Sequence, residues 1–158
     1  MKNNNQPKTN IAVVGSGYWG KNLVRNFREL GVLKLICDKN EELLHQFKDQ
    51  YPGVETCIAF NDVLRRKEIQ GVVIATPAET HYGLAREALL SGKHVYVEKP
   101  LVLDEKKAED LIHLSHQQDR ILMVGHLLQY HPVFLYLKDM VATGEMGRVN
   151  YIYSHRLN

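Results

Sequence analysis

A doubly wound α/β fold, one parallel sheet covered by helices on both faces, is what this sequence predicts, on three observations. Short apolar strands alternate with amphipathic helices from residue 10 to residue 124. The strands are apolar at consecutive positions, as in Gly71-Val72-Val73-Ile74-Ala75, so neither face is built for water. Helices are closed by glycine, at Gly31 and Gly92, before the next apolar run begins. Right-handed crossovers then put helices over both faces of a parallel sheet.

Residues 1–9 are a polar, Asn-rich lead expected to be disordered, and residues 10–14 are the first strand, ending at Gly15. Leu23, Val24, Phe27 and Leu30 then recur at helical spacing. The alternation continues with a strand at 32–37, a helix at 41–48, a short strand at 55–58 and a short capped helix at 61–67. Strand 71–75 is followed by a helix at 79–91, strand 94–97, a helix capped by Asp104, and strand 121–124. Residues 10–131 therefore read as one domain. In 132–158, Pro132 suits a first helical turn, Phe134, Leu137, Met140 and Val141 make a stripe, and Gly144 stops it. Residues 148–156 alternate as an edge strand, expected to be the first strand of a second α/β domain that is otherwise absent.

Composition narrows the function. Twenty Lys and Arg against 18 Asp and Glu give a net charge of +2, too balanced for an electrostatic grip on nucleic acid or a membrane surface. No apolar run approaches the roughly 18 residues of a membrane span, and the lead lacks the apolar core of a signal peptide, so a cytoplasmic protein is expected. Cys37 and Cys57 have no metal-ligand spacing and read as buried, reduced thiols; no metal site is expected.

Gly15-Ser16-Gly17-Tyr18-Trp19-Gly20 fits G-x-G-x-x-G between a strand and a helix. There Gly15 permits the tight turn, Gly17 lets backbone approach a pyrophosphate, and Gly20 lets helix and strand pack closely. The helix N-terminus, with Tyr18 and Trp19, receives the phosphates. Asp38, at the end of the second strand, is placed to accept hydrogen bonds from the adenine ribose, which favours NAD over NADP; Lys39 beside it keeps NADP open. Ala75-Thr76-Pro77 follows the fourth strand and should border the cofactor. His81 either contacts cofactor or substrate or is an exposed residue at a helix start. Glu98-Lys99-Pro100 follows the fifth strand: either a surface ion pair, or a lysine that handles the proton of a substrate hydroxyl, oriented by Glu98.

These motifs, with Val124-Gly125-His126, resemble the glucose-fructose oxidoreductase, inositol dehydrogenase and MocA (Gfo/Idh/MocA) family over nearly the whole chain. The resemblance implies an N-terminal Rossmann domain that binds NAD, with Lys99 at the reacting carbon and His126 beside the nicotinamide. The wording around Gly17-Tyr18-Trp19-Gly20 and Gly125-His126-Leu127-Leu128-Gln129-Tyr130-His131-Pro132 is most similar to the branch acting on nucleotide-activated amino sugars such as UDP-N-acetylglucosamine. Gln129 departs from the arginine of many relatives. The family's catalytic histidine near an aspartate belongs to the second domain.

The expected function is hydride transfer between a sugar or sugar-nucleotide hydroxyl and NAD, by a homo-oligomer joined through the terminal strand or second domain. The alternatives are a non-catalytic NAD-binding module and an interaction module that uses the terminal strand. The 158-residue chain alone is expected to be inactive.

Overall fold

The computed structural model describes residues 9–155. The expected disordered lead thus lies, save for Thr9, outside the described residues. Six strands form one sheet: β1 (Ile11–Val14), β2 (Leu33–Cys37), β3 (Glu55–Cys57), β4 (Gly71–Ile74), β5 (His94–Val97) and β6 (Leu122–Val124). Their order is β3-β2-β1-β4-β5-β6, and every pair is parallel. The chain returns to the middle between β3 and β4, so β1 and β4 are neighbours whose following loops leave toward opposite sides.

Helices α1 (Gly20–Glu29), α2 (Glu41–Gln50), α3 (Phe60–Arg65), α4 (Ala78–Leu90) and α5 (Glu105–Gln117) make the crossovers. Two apolar layers result, because successive strand residues point to opposite faces. Val13, Ile36 and Val73 pack with Leu23, Val24, Leu44 and Phe47 of α1 and α2. Val14, Cys37, Ile74 and Val97 pack with Val63, Ala85, Leu89 and Leu111 of α3, α4 and α5.

Local chemistry sets the helix ends. Asp104 caps α5 as expected, accepting from Lys107 N at 3.1 Å, and Asn40 caps α2, accepting from Leu43 N at 3.1 Å. Helix α3 stops at Arg65, short of the expected residue 67. Arg66 turns extended there and its guanidinium pairs with Glu55.

The chain divides into two compact units, Met1–Gly125 and His126–Asn158. Within the second, α6 (Pro132–Ala142) starts at the expected proline, and His131 Nδ1 accepts from Val133 N at 3.3 Å. A single 3-10 turn, Leu127–Tyr130, precedes it and has no counterpart in the sequence reading. Tyr130, at the end of that turn, is exposed. The strand expected at 148–156 is not formed among the described residues: 148–155 are irregular and Tyr151, Ile152 and Tyr153 stand exposed. Alternation alone does not make a strand; a ladder needs a neighbour's N–H and C=O groups, and none pairs there. Arg156 lies outside the described residues.

Candidate functional site

The site is built by the sheet continuing one residue past its strands. Beyond five of the six strand ends the next backbone N–H donates to the last carbonyl of the neighbouring strand. Asp38 N donates to Cys57 O (3.2 Å), Gly15 N to Cys37 O (2.9 Å) and Ala75 N to Val14 O (2.8 Å). Glu98 N donates to Ile74 O (2.9 Å) and Gly125 N to Val97 O (2.8 Å). Asp38, Gly15, Ala75, Glu98 and Gly125 therefore stand in one row along the carboxyl edge, where ligands of open α/β sheets bind. Motifs scattered along the sequence become one line.

Gly15 has φ +83°, and a Cβ on it would meet Thr76 Cγ2 at 2.8 Å and the Ala75 carbonyl at 2.9 Å. A Cβ on Gly20 would fall 2.0 Å from Gly15 O, so the first turn of α1 is pressed onto the glycine loop. At Gly17 nothing lies within 4 Å of such a Cβ, and Gly17, Tyr18 and Trp19 are exposed. Close packing at two glycines and open space at the third is what a pyrophosphate approaching a helix N-terminus requires.

Asp38 is fixed before any ligand arrives. Its Oδ2 accepts from Ser16 N at 2.7 Å and from Ser16 Oγ at 2.8 Å, and its Oδ1 from Asn40 N at 3.0 Å. Partial burial alone would raise its pKa. The N–H groups of Asn40, Ser16 and Lys39 and the Ser16 hydroxyl outweigh that and hold the carboxyl below its ordinary value. Lys39 is exposed next to it. Ser16 is a site residue that sequence reasoning missed, because it occupies a free position of the glycine motif.

Thr76 Oγ1 and Thr80 Oγ1 share a hydrogen bond of 2.7 Å, and Pro77 O accepts from Thr80 Oγ1 at 2.7 Å, which ties the Ala75-Thr76-Pro77 loop to α4. His81 corrects both readings made of it. It is neither exposed nor free to meet a ligand: it is 1% exposed, with Nδ1 2.8 Å from Pro100 O and Nε2 2.8 Å from Thr76 O. Both ring nitrogens are spent joining the loop after β4 to the loop after β5. The helix-start position suggested exposure; the Pro100 loop folding over it removes that.

Glu98 is buried, and its partners differ from those expected. Its Oε1 accepts from Tyr96 Oη at 3.0 Å and its Oε2 from the backbone N of Lys99 at 3.3 Å. Glu98 thus orients the backbone of Lys99. The Lys99 side chain is exposed and forms no ion pair among the described residues. The surface-pair reading of Glu98 and Lys99 is set aside on this geometry. The Lys99–Pro100 peptide bond is cis. Gly125 is needed here: a Cβ on it would fall 2.5 Å from Tyr96 Oη. His126 is exposed and belongs to the second unit. No cluster of His, Cys, Asp and Glu suited to a metal occurs among the described residues.

This fold with this row of residues defines a dinucleotide-binding domain of the Rossmann type. The family model described as "Oxidoreductase family, NAD-binding Rossmann fold" (Gfo/Idh/MocA) matches residues 9–126, and the chain belongs to that family. Its domain binds NAD. UDP-N-acetylglucosamine 3-dehydrogenase from Acidithiobacillus ferrooxidans is 27% identical over 150 residues, covering 92% of this chain and 44% of the relative. An uncharacterized oxidoreductase of Escherichia coli is 41% identical over 108 residues, covering 68% of this chain and 31% of that relative. Scyllo-inositol dehydrogenase from Lactobacillus casei, solved with NAD(H) and scyllo-inositol, superposes with a TM-score of 0.81 at 25% identity, covering 89% of this chain and 42% of that one. The chain spans less than half the length of these relatives. No helix among the described residues is long and apolar enough to cross a membrane.

Proposed function

We propose that this chain is the cofactor-binding part of an enzyme that transfers hydride between NAD and a hydroxyl-bearing carbon of a sugar or sugar nucleotide. The observation that carries the reading is the single row in which Asp38 and Glu98 stand three strands apart, with the exposed Lys99 following Glu98. When bound, the nicotinamide supplies the hydride acceptor or donor.

The protein's residues do the rest. Gly15 and Gly20 shape the loop, and its exposed residues Gly17, Tyr18 and Trp19 offer backbone N–H groups and helix dipole to the pyrophosphate. The ionised Asp38 accepts from the adenine ribose hydroxyls and repels a 2′-phosphate, outweighing Lys39. Ala75, Thr76 and Pro77 wall the middle of the cofactor, and His81 holds that wall against Pro100. Glu98 fixes the backbone from which Lys99 projects, and Lys99 Nζ exchanges a proton with the substrate hydroxyl as hydride moves.

The substrate class follows from the relatives' printed activities, with UDP-N-acetylglucosamine the first candidate. The exposed Tyr151, Ile152 and Tyr153 support self-association, which light scattering before and after removal of residues 145–158 would measure. A cytoplasmic setting fits a soluble dinucleotide cofactor. Calorimetry with NAD and NADP on this chain, followed by NADH appearance with UDP-N-acetylglucosamine and with inositol in the whole enzyme, tests the proposal. Tighter NADP binding would remove the Asp38 role. NAD binding by the whole enzyme without turnover of any sugar would favour a binding module.

A further inference from the structure

Behind the ribose carboxylate lies a second chemical feature. Cys37 and Cys57 are the last residues of β2 and β3 and are partners in the parallel register. Both side chains pack on the layer shared with α3, α4 and α5. Adjacent strands run about 4.8 Å apart, which lies inside the Cα separation of about 4.4–6.8 Å that disulfides span. The two thiols differ in access. Cys37 is 3% exposed, whereas Cys57 is half-buried and lines a surface groove with His45, Lys48, Arg65 and Arg66, with Glu41 and Asp62 the opposing charges.

We propose that Cys57 is a peroxide-reactive thiol and Cys37 its resolving partner, and that the disulfide they close weakens NAD binding. The Cys57 thiolate attacks one oxygen of a hydroperoxide; an S–O bond forms, the O–O bond breaks, and the leaving oxygen takes a proton from water. The Cys37 sulfur then attacks the sulfenic sulfur; an S–S bond forms, the S–O bond breaks, and hydroxide leaves with the Cys37 proton as water. Two electrons pass from the sulfurs to the peroxide, and a dithiol reductant returns them.

The surroundings favour this division of roles. The neighbouring Cys37 thiol draws the Cys57 pKa below its ordinary value, burial opposes this, and the Arg66 guanidinium adds to the lowering. Cys37 is pushed up by the neighbouring Cys57 and by burial, and its thiol donates to Ile58 O at 3.7 Å while that of Cys57 donates to Ala59 O at 3.7 Å. The link to the cofactor runs through backbone. Cys57 O accepts from Asp38 N at 3.2 Å and Cys37 O from Gly15 N at 2.9 Å, so any adjustment of the two strand ends to disulfide geometry passes directly to the ribose carboxylate and the first glycine. This cofactor effect rests on the proposed role of Asp38.

The test treats the reduced protein with hydrogen peroxide, maps its peptides by mass spectrometry, and titrates NAD before oxidation, after it, and after dithiothreitol. The expected result is a linked Cys37–Cys57 peptide and about tenfold weaker NAD binding, restored by the reductant. In Cys37→Ala, Cys57 should stop at a sulfenic acid that dimedone labels. The proposal is overturned if Cys57 stays reduced, if it proceeds to sulfinic acid without the linked peptide, or if the link leaves NAD affinity unchanged. The wild-type peptide map decides the crosslink even if a variant fails to fold. Should Asp38→Ala leave NAD affinity intact while the disulfide still weakens it, the Asp38 role falls and the thiol pair stands.

Discussion

The two ends of the ligand-binding edge are organised by opposite means. At the β2 end, Asp38 is held by short-range bonds to the glycine loop and to Asn40, and its carboxylate stays partly open. At the β5 end the acid, Glu98, is buried and the exposed group is the lysine after it. One end presents a fixed anion suited to recognition. The other buries its anion to steady an exposed cation suited to proton transfer. Recognition gains from a group locked in advance, whereas a proton carrier must reach and withdraw.

Four substitutions would break or sharpen that contrast. His81→Ala removes the buried ring set between the Thr76 and Pro100 carbonyls and should lower stability by about 3 kcal/mol, read by urea unfolding. A loss near zero would mean that the loops after β4 and β5 do not depend on each other. In the full-length enzyme, Lys99→Met should lower turnover about a hundredfold with thermal midpoint and NAD affinity nearly unchanged. Unfolding, or normal turnover, would make the β5 end structural.

Asp38→Ala should weaken NAD by about 2 kcal/mol, roughly thirtyfold, and narrow the margin over NADP, measured by calorimetry. An unchanged affinity would erase the distinction between the ends. Glu55→Gln, away from both, should cost within about 1 kcal/mol, since Lys34 and Arg66 pair with it at the surface. Hydrogen bonds from Arg66 and then Lys34 hold Glu55 below its ordinary pKa, and Asp38 is lowered as well. Their stabilisation is therefore present above the unfolded-state value and is lost as pH falls through the lower folded-state value. Acid unfolding should be shallower in either variant.

The contrast also divides what could be read in advance. Val72, Val73 and Ile74 are buried whichever way they face, so a run of them marks a central strand, and the residues just beyond such strands must share an edge. Asp38 and Lys99 were legible for that reason. His81 and Ser16 were not. Their partners come from other loops, His81 bridging to Pro100 and Ser16 to Asp38, and no local pattern records such pairings. Residues 148–155 show the converse failure, where a clear alternation meets no neighbouring strand and forms none.

The row along the sheet edge acts as a ruler. From Asp38 on β2 to Glu98 on β5 are three strand spacings, about 14 Å, set by backbone hydrogen bonding and not by any side chain. A mononucleotide laid on the glycine loop reaches only one graduation. Two nucleotide halves joined at the middle, where Gly15 and Ala75 stand side by side, are long enough to touch both ends. Length is thereby selected by the sheet itself, and side-chain changes at either end alter what is gripped without altering how far apart the grips are.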